Sequence, residues 1–143
     1  MGRLALLASV VCLCGVLVGR APAATPQVTA RKLLTRCETA VKSVPIVALE
    51  ANTPQVPKAN RRAQAAFQKC GTTASWAKLN TNKGPIHDAY SAWADLAFGI
   101  GDYMTYCQNV AFEHTGKGIL HKAQHEIARG RKEAKHALAG LSS

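Results

Sequence analysis

The sequence has 143 residues, with 18 Lys and Arg against 8 Asp and Glu, giving a formal charge of +10. This length suffices for one small domain with a hydrophobic core. The chain is not a simple polycation. Residues 84–116 carry four acidic residues and no Lys or Arg, and they lie between two basic segments. Such alternation is compatible with charge complementarity between neighbouring helices for part of the excess.

The N-terminal segment 1–23 has the pattern of a cleavable secretory signal peptide. Arg3 precedes an apolar run over residues 4–18, which is shorter than the roughly 20 residues needed to span a bilayer. Ala21-Pro22-Ala23 follows, and it presents the small residues that signal peptidase requires. The sequence therefore predicts cleavage after Ala23, a single domain over 24–143, and a secreted or periplasmic location. An uncleaved membrane anchor is the alternative.

Cleavage would change both the charge and the cysteine content of the working protein. Loss of Arg3 and Arg20 leaves 16 basic and 8 acidic residues, a charge of +8. Loss of Cys12 and Cys14 leaves three cysteines in a compartment where disulfides persist. Nothing after residue 24 has the length and hydropathy of a membrane span.

Apolar residues recur at helical spacing in four later segments. The predicted helices cover about 28–42, 58–70, 85–111 and 119–141, and no segment alternates long enough to predict a strand. Pro45 is expected to kink or end the first helix, although the apolar stretch 46–49 is compatible with one or two further turns. The predicted fold is all-α, an antiparallel bundle of about four helices.

Three cysteines remain after the signal peptide, Cys37, Cys70 and Cys107. Residues equidistant from the turn of an antiparallel hairpin face each other, and the midpoint between residues 37 and 70 falls in the predicted connection. We therefore predict a Cys37–Cys70 disulfide, with the other two pairings as alternatives. Cys107 lies on the apolar stripe of the long helix. This position favours a buried thiol over a reactive thiol, a metal ligand or an intermolecular disulfide.

Two histidines, His121 and His125, are four residues apart on the last predicted helix, a spacing that lets two imidazoles reach one metal ion. Hairpin geometry places Cys107 level with His125, and His114 lies seven residues before His121. A metal or haem site is thus conceivable as an alternative. The helical wheel opposes it, because both histidines lie opposite the apolar face while Cys107 lies on it. No cofactor is predicted as the first choice.

Acidic residues recur every seven positions on the long helix, at Asp88, Asp95 and Asp102. Successive members are about 10 Å apart along the axis, too far for two carboxylates to share a proton. The column predicts a polar stripe that is solvated or faces basic groups on an adjacent helix.

Basic residues cluster on three of the predicted helices, and each cluster is diluted by few acids. The clusters are Arg31, Lys32 and Arg36; Lys58, Arg61 and Arg62; and Arg129, Arg131, Lys132 and Lys135. Such faces are suited to phosphates, anionic headgroups or acidic polymers, and they also serve simply as solubilising surfaces. Aromatic residues lie elsewhere, which argues against single-strand recognition by stacking. Sequence-specific nucleic-acid binding is not expected.

No nucleophile, base and orienting group can be assembled from spacing, so the sequence favours a binding module over an enzyme. The expected function is binding of a protein or an anionic polymer or membrane surface through the basic helix faces. The alternatives are an extracytoplasmic metal- or haem-binding protein and an enzyme whose site is assembled from distant residues. The identity of the partner and the oligomeric state are not encoded in any pattern that we can interpret.

Overall fold

The computed structural model describes residues 23–112 and 116–141. Four α-helices pack against each other, and a short 3₁₀ helix over Thr73–Trp76 lies between the second and the third. The helices are α1 (Pro26–Lys42), α2 (Gln55–Cys70), α3 (Gly84–Ala111) and α4 (Lys117–Gly140). The described residues include no strand. The predicted all-α fold with four packed helices is confirmed, and their antiparallel order stays a prediction.

The predicted signal peptide lies outside the described residues, except for Ala23, which is exposed and not helical. Within 23–112 and 116–141, no helix is long and apolar enough to cross a membrane.

All four helices begin one to three residues earlier than the apolar pattern predicts, and proline chemistry explains the starts of α1 and α2. Thr25 caps α1 by accepting a hydrogen bond from the backbone N–H of Val28 at 3.3 Å, and Pro26 is the first helical residue. The second helix begins at Gln55 and includes Pro57 in its first turn. A proline is tolerated there because the first backbone N–H groups of a helix have no intrahelical partner.

Helix α3 is the centre of the molecule, since its contacts with α1, α2 and α4 together are more extensive than those of any other helix. Its contact with α4 is the most extensive, and a glycine on each helix allows the close approach. A Cβ added to Gly99 would lie 2.6 Å from Cγ1 of Ile127, and one added to Gly130 would lie 3.0 Å from the backbone nitrogen of Leu96. Gly99 therefore serves the packing of α3 against α4, and α3 runs through Gly99 and Gly101 without interruption.

The connection between α1 and α2, residues 43–54, is not helical at the apolar stretch. The expectation of a further helical turn there was wrong. Backbone groups of this stretch bind tyrosine side chains of α3 instead: the Leu49 N–H donates to the Tyr106 hydroxyl at 2.8 Å, and the Tyr103 hydroxyl donates to the Val47 carbonyl at 3.2 Å. Buried phenol groups need such partners. A non-helical backbone is therefore favoured, because a helix would use its N–H and C=O groups in its own hydrogen bonds.

The predicted Cys37–Cys70 disulfide is confirmed, and both cysteines are buried. The two cysteines lie at unequal distances from the connection, since α1 ends at Lys42, soon after Cys37, whereas α2 begins at Gln55, several turns before Cys70. At 1.5 Å per residue, the helical segment from Cys37 to Lys42 is about 8 Å long, and the segment from Gln55 to Cys70 is about 22 Å long. The extended connection accommodates this difference.

Candidate anion-binding groove

The outward face of α1 forms one wall of a surface groove of about 850 Å³. The α1 residues that line it recur at intervals of three and four. The buried residues of α1 are Ala30, Leu34, Cys37, Ala40 and Val41, and of these Ala40 also lines the groove. The groove residues are Val28, Arg31, Lys32, Thr35, Arg36, Thr39, Ala40 and Ser43 of α1, together with Lys69 of α2. All members of the first predicted basic cluster therefore lie in one groove.

Lys69 is a fourth cation of the groove, and the sequence reasoning missed it. It precedes Cys70 just as Arg36 precedes Cys37, and the disulfide brings the two half-cystine Cα atoms to 4.0 Å. The disulfide therefore fixes the end of α2 beside α1. The local similarity of Arg36-Cys37 to Lys69-Cys70 was the available signal, because a basic residue beside each bonded cysteine is brought to the same place.

Among the described residues that line the groove, none is acidic. Glu38, an acidic residue of α1, instead pairs with Lys42 at 2.8 Å, and its side chain is only 16% exposed. With four cations and no lining carboxylate, the groove has a positive potential that favours anions.

The second basic cluster lies apart from this groove. Lys58 and Arg62 line a smaller pocket of about 240 Å³ with the connection residues Val47 and Leu49, and no residue lines both cavities. Arg61 is exposed and belongs to neither lining. The α2 cluster therefore does not extend the α1 groove.

The third cluster, on α4, is divided between structural contacts and solvent. Arg129 binds both carboxylate oxygens of Asp95 through two of its nitrogens. This partner holds the pKa of the Arg129 guanidinium above its already high range. Arg131 is partly buried and donates to the Val41 carbonyl at 3.4 Å, while Lys132 and Lys135 are exposed.

A second ion-pair group joins α3 to α4. Lys122 lies 2.9 Å from Oδ2 of Asp102 and 3.7 Å from Oε1 of Glu126. The pKa of Glu126 is raised, first by burial and then by the negative charge of Asp102. For Asp95 and Asp102, the prediction that the acidic column faces basic groups of an adjacent helix is confirmed.

The described residues of the alternative metal site, Cys107, His121 and His125, do not form a metal-binding group. His121 and His125 are exposed on α4, whereas the thiol of Cys107 is completely buried. Burial raises the pKa of Cys107 to about 11, so its thiol stays protonated near neutral pH and is a poor metal ligand or nucleophile. His114 lies outside the described residues, and within the described ranges no three His, Cys, Asp or Glu side chains form a group able to hold a metal ion.

An aromatic groove of about 490 Å³ lies between α2 and α3, and the sequence reasoning did not identify it. Phe67, Trp93 and Phe98 line it, and Phe98 is 68% exposed. The available signal was the position of Phe98, which falls between members of the apolar stripe of α3 rather than on it.

No protein-family model, no curated protein and no solved structure matches this chain. Its function is therefore inferred from the residues of the grooves themselves.

Proposed function

We propose that this protein is an exported, non-catalytic binding protein that engages an anionic partner through the α1 groove. The observation that carries the proposal is the convergence of four cations, Arg31, Lys32, Arg36 and Lys69, on one groove whose described lining contains no carboxylate. The same number of cations scattered over a convex surface binds anions weakly, because salt and water screen each charge separately.

Export is supported by two independent features. The segment 1–23 has the order of charge, apolar run and small residues that signal peptidase recognises. The Cys37–Cys70 disulfide is of a kind that persists in oxidising compartments and is rare in the cytosol. Both features support a secreted or periplasmic location.

The groove is tested by measuring affinity for three polyanions over a salt series: poly-glutamate, inorganic polyphosphate, and vesicles that contain phosphatidylglycerol. Each cation–anion contact contributes roughly 0.7 to the slope of log affinity against log salt, so contacts with Lys32, Arg36 and Lys69 predict a roughly 20-fold loss between about 50 and about 200 mM salt. An affinity that is absent, or that does not change with salt, contradicts the proposal.

A matched pair of triple variants locates the binding surface. Lys32→Gln with Arg36→Gln and Lys69→Gln removes three groove cations, while Lys117→Gln with Lys132→Gln and Lys135→Gln removes three exposed cations of α4. Both variants lose the same net charge. Only the groove variant is expected to lose binding, and equal losses in the two variants would mean that net charge alone attracts the polyanion.

A further inference from the structure

The α1 groove contains apolar surface between its cations. Val28 is 54% exposed at one end of the groove, whereas Ala40, further along α1, is buried. The methyl groups of Thr35 and Thr39, and the methylene stems of the basic side chains, add to this surface. A partner that fits the groove therefore needs apolar groups as well as negative charge.

The groove is elongated rather than compact. Its lining extends from Val28 to Ser43 along α1, which corresponds to about 22 Å at 1.5 Å per residue. A helical segment of about 15 residues has the same length.

Uniformly charged polymers complement the cations of the groove but not its apolar surface. Polyphosphate has no apolar group to place against Val28, and the described residues of the lining include no aromatic ring on which a nucleic-acid base can stack. An acidic polypeptide with apolar side chains on one face complements both the cations of the groove and its exposed apolar residue, Val28.

Building on the proposed function, we infer that the partner of the α1 groove is an acidic, amphipathic segment of a polypeptide. The segment lies along α1, with carboxylates against Lys32, Arg36 and Lys69 and with an apolar side chain against Val28. Electrostatic attraction supplies the salt-dependent part of the affinity, and burial of Val28 supplies a part that salt does not weaken.

The test compares two synthetic peptides of about 16 residues, long enough to follow the groove at 1.5 Å per residue, with the same Glu and Leu composition. In one peptide the Leu residues form a single helical face, and in the other they are distributed around the helix. Each peptide is titrated against the full chain and against Val28→Ser and Val47→Ser. Val47 is a matched control, because it is also a valine, is 49% exposed, and lines the separate pocket that contains Lys58 and Arg62.

The amphipathic peptide is expected to bind about fivefold more weakly to Val28→Ser than to the unmodified protein, and equally well to Val47→Ser. Poly-glutamate is expected to bind Val28→Ser and the unmodified protein alike. Unchanged far-UV circular dichroism of both variants would show that the fold is retained, as expected for half-exposed positions.

Three results overturn the inference while leaving the proposed function intact: equal affinity for the two peptides, equal effects of Val28→Ser and Val47→Ser, or tighter binding of polyphosphate or phosphatidylglycerol vesicles. Failure of all these anions to bind, or undiminished binding by the triple groove variant, would instead contradict the proposed function.

Discussion

The outer faces of α1 and α4 are both rich in basic residues, but their charges are used differently. On α4, Arg129 is bound to Asp95 and Lys122 to Asp102, so the acidic column of α3 takes up part of the basic charge. On α1, Arg36 lies in a groove with Lys69 and without a lining carboxylate among the described residues. Counts of local charge are similar for the two helices. What separates a candidate binding face from a structural face is the charge on the neighbouring helix.

The largest expected effect comes from the disulfide, because it fixes Lys69 beside α1. Replacing Cys37 and Cys70 together by serine is expected to lower the free energy of unfolding by about 3 to 4 kcal/mol, on the loop-entropy account of a 33-residue separation. Poly-glutamate affinity should fall as well, since the end of α2 is released. Urea denaturation and a titration below the unfolding transition measure the two effects.

Cys107→Ala is the control for the disulfide variant, because it also removes a buried cysteine but leaves the α1–α2 link in place. It should lower stability by the cost of a small cavity without changing poly-glutamate affinity. A disulfide variant with unaltered affinity would show that Lys69 does not depend on the bond.

Two arginine substitutions, one on α1 and one on α4, distinguish the binding face from the structural face. Arg36→Met is expected to weaken poly-glutamate binding about fivefold and to leave stability unchanged, because it removes one exposed groove cation. Arg129→Met is expected to lower stability and to leave affinity unchanged, because it deprives Asp95, whose side chain is 15% exposed, of its partner.

Thermal denaturation and isothermal titration of the two methionine variants provide both measurements. Methionine retains much of the apolar stem, so the comparison isolates the charge. If Arg129→Met weakened binding as much as Arg36→Met, the distinction between the two helices would be lost.

A smaller effect concerns the pH dependence of the α3–α4 interface. Burial and the charge of Asp102 raise the pKa of Glu126, so the folded state binds a proton more tightly than the unfolded state does. Stability therefore decreases as pH rises from the unfolded pKa of a glutamate through the raised folded pKa. Glu126→Gln removes this cost and is expected to be more stable than the unmodified protein above that window.

Urea denaturation at a series of pH values measures the effect of Glu126→Gln. The gain should vanish at pH values below both pKa values, where the glutamate is protonated in either state. A variant that was less stable at every pH would show that the ion pair with Lys122 outweighs the cost of burial.

The four helices could be predicted because each depends on its own local apolar spacing. The Cys37–Cys70 disulfide was predicted from the midpoint of the two cysteines, and it forms although they lie at unequal distances from the connection. The extended form of that connection could not be predicted. It depends on Tyr103 and Tyr106, which lie far along the chain on α3 and bind its backbone. The secondary-structure propensity of a segment contains no information on such distant partners, and tertiary contacts override it.

The candidate site was predicted only in part for a similar reason. Arg31, Lys32 and Arg36 form a recognisable cluster on one helix face, whereas Lys69 joins them only through a bond between helices. The acidic column was expected to face basic groups, but the specific pairing of Arg129 with Asp95, 34 residues earlier in the chain, was not predicted. Sequence spacing shows which residues share a helix face but not which helix lies opposite.

The most direct test of the central claim is a titration of uniformly ¹⁵N-labelled protein with poly-glutamate, followed by amide chemical shifts. Binding in the α1 groove predicts that the largest shift changes lie within residues 28–43 and at Lys69, and that they decline as salt is added. Changes centred on α4, or spread evenly over all the basic residues, would contradict the account.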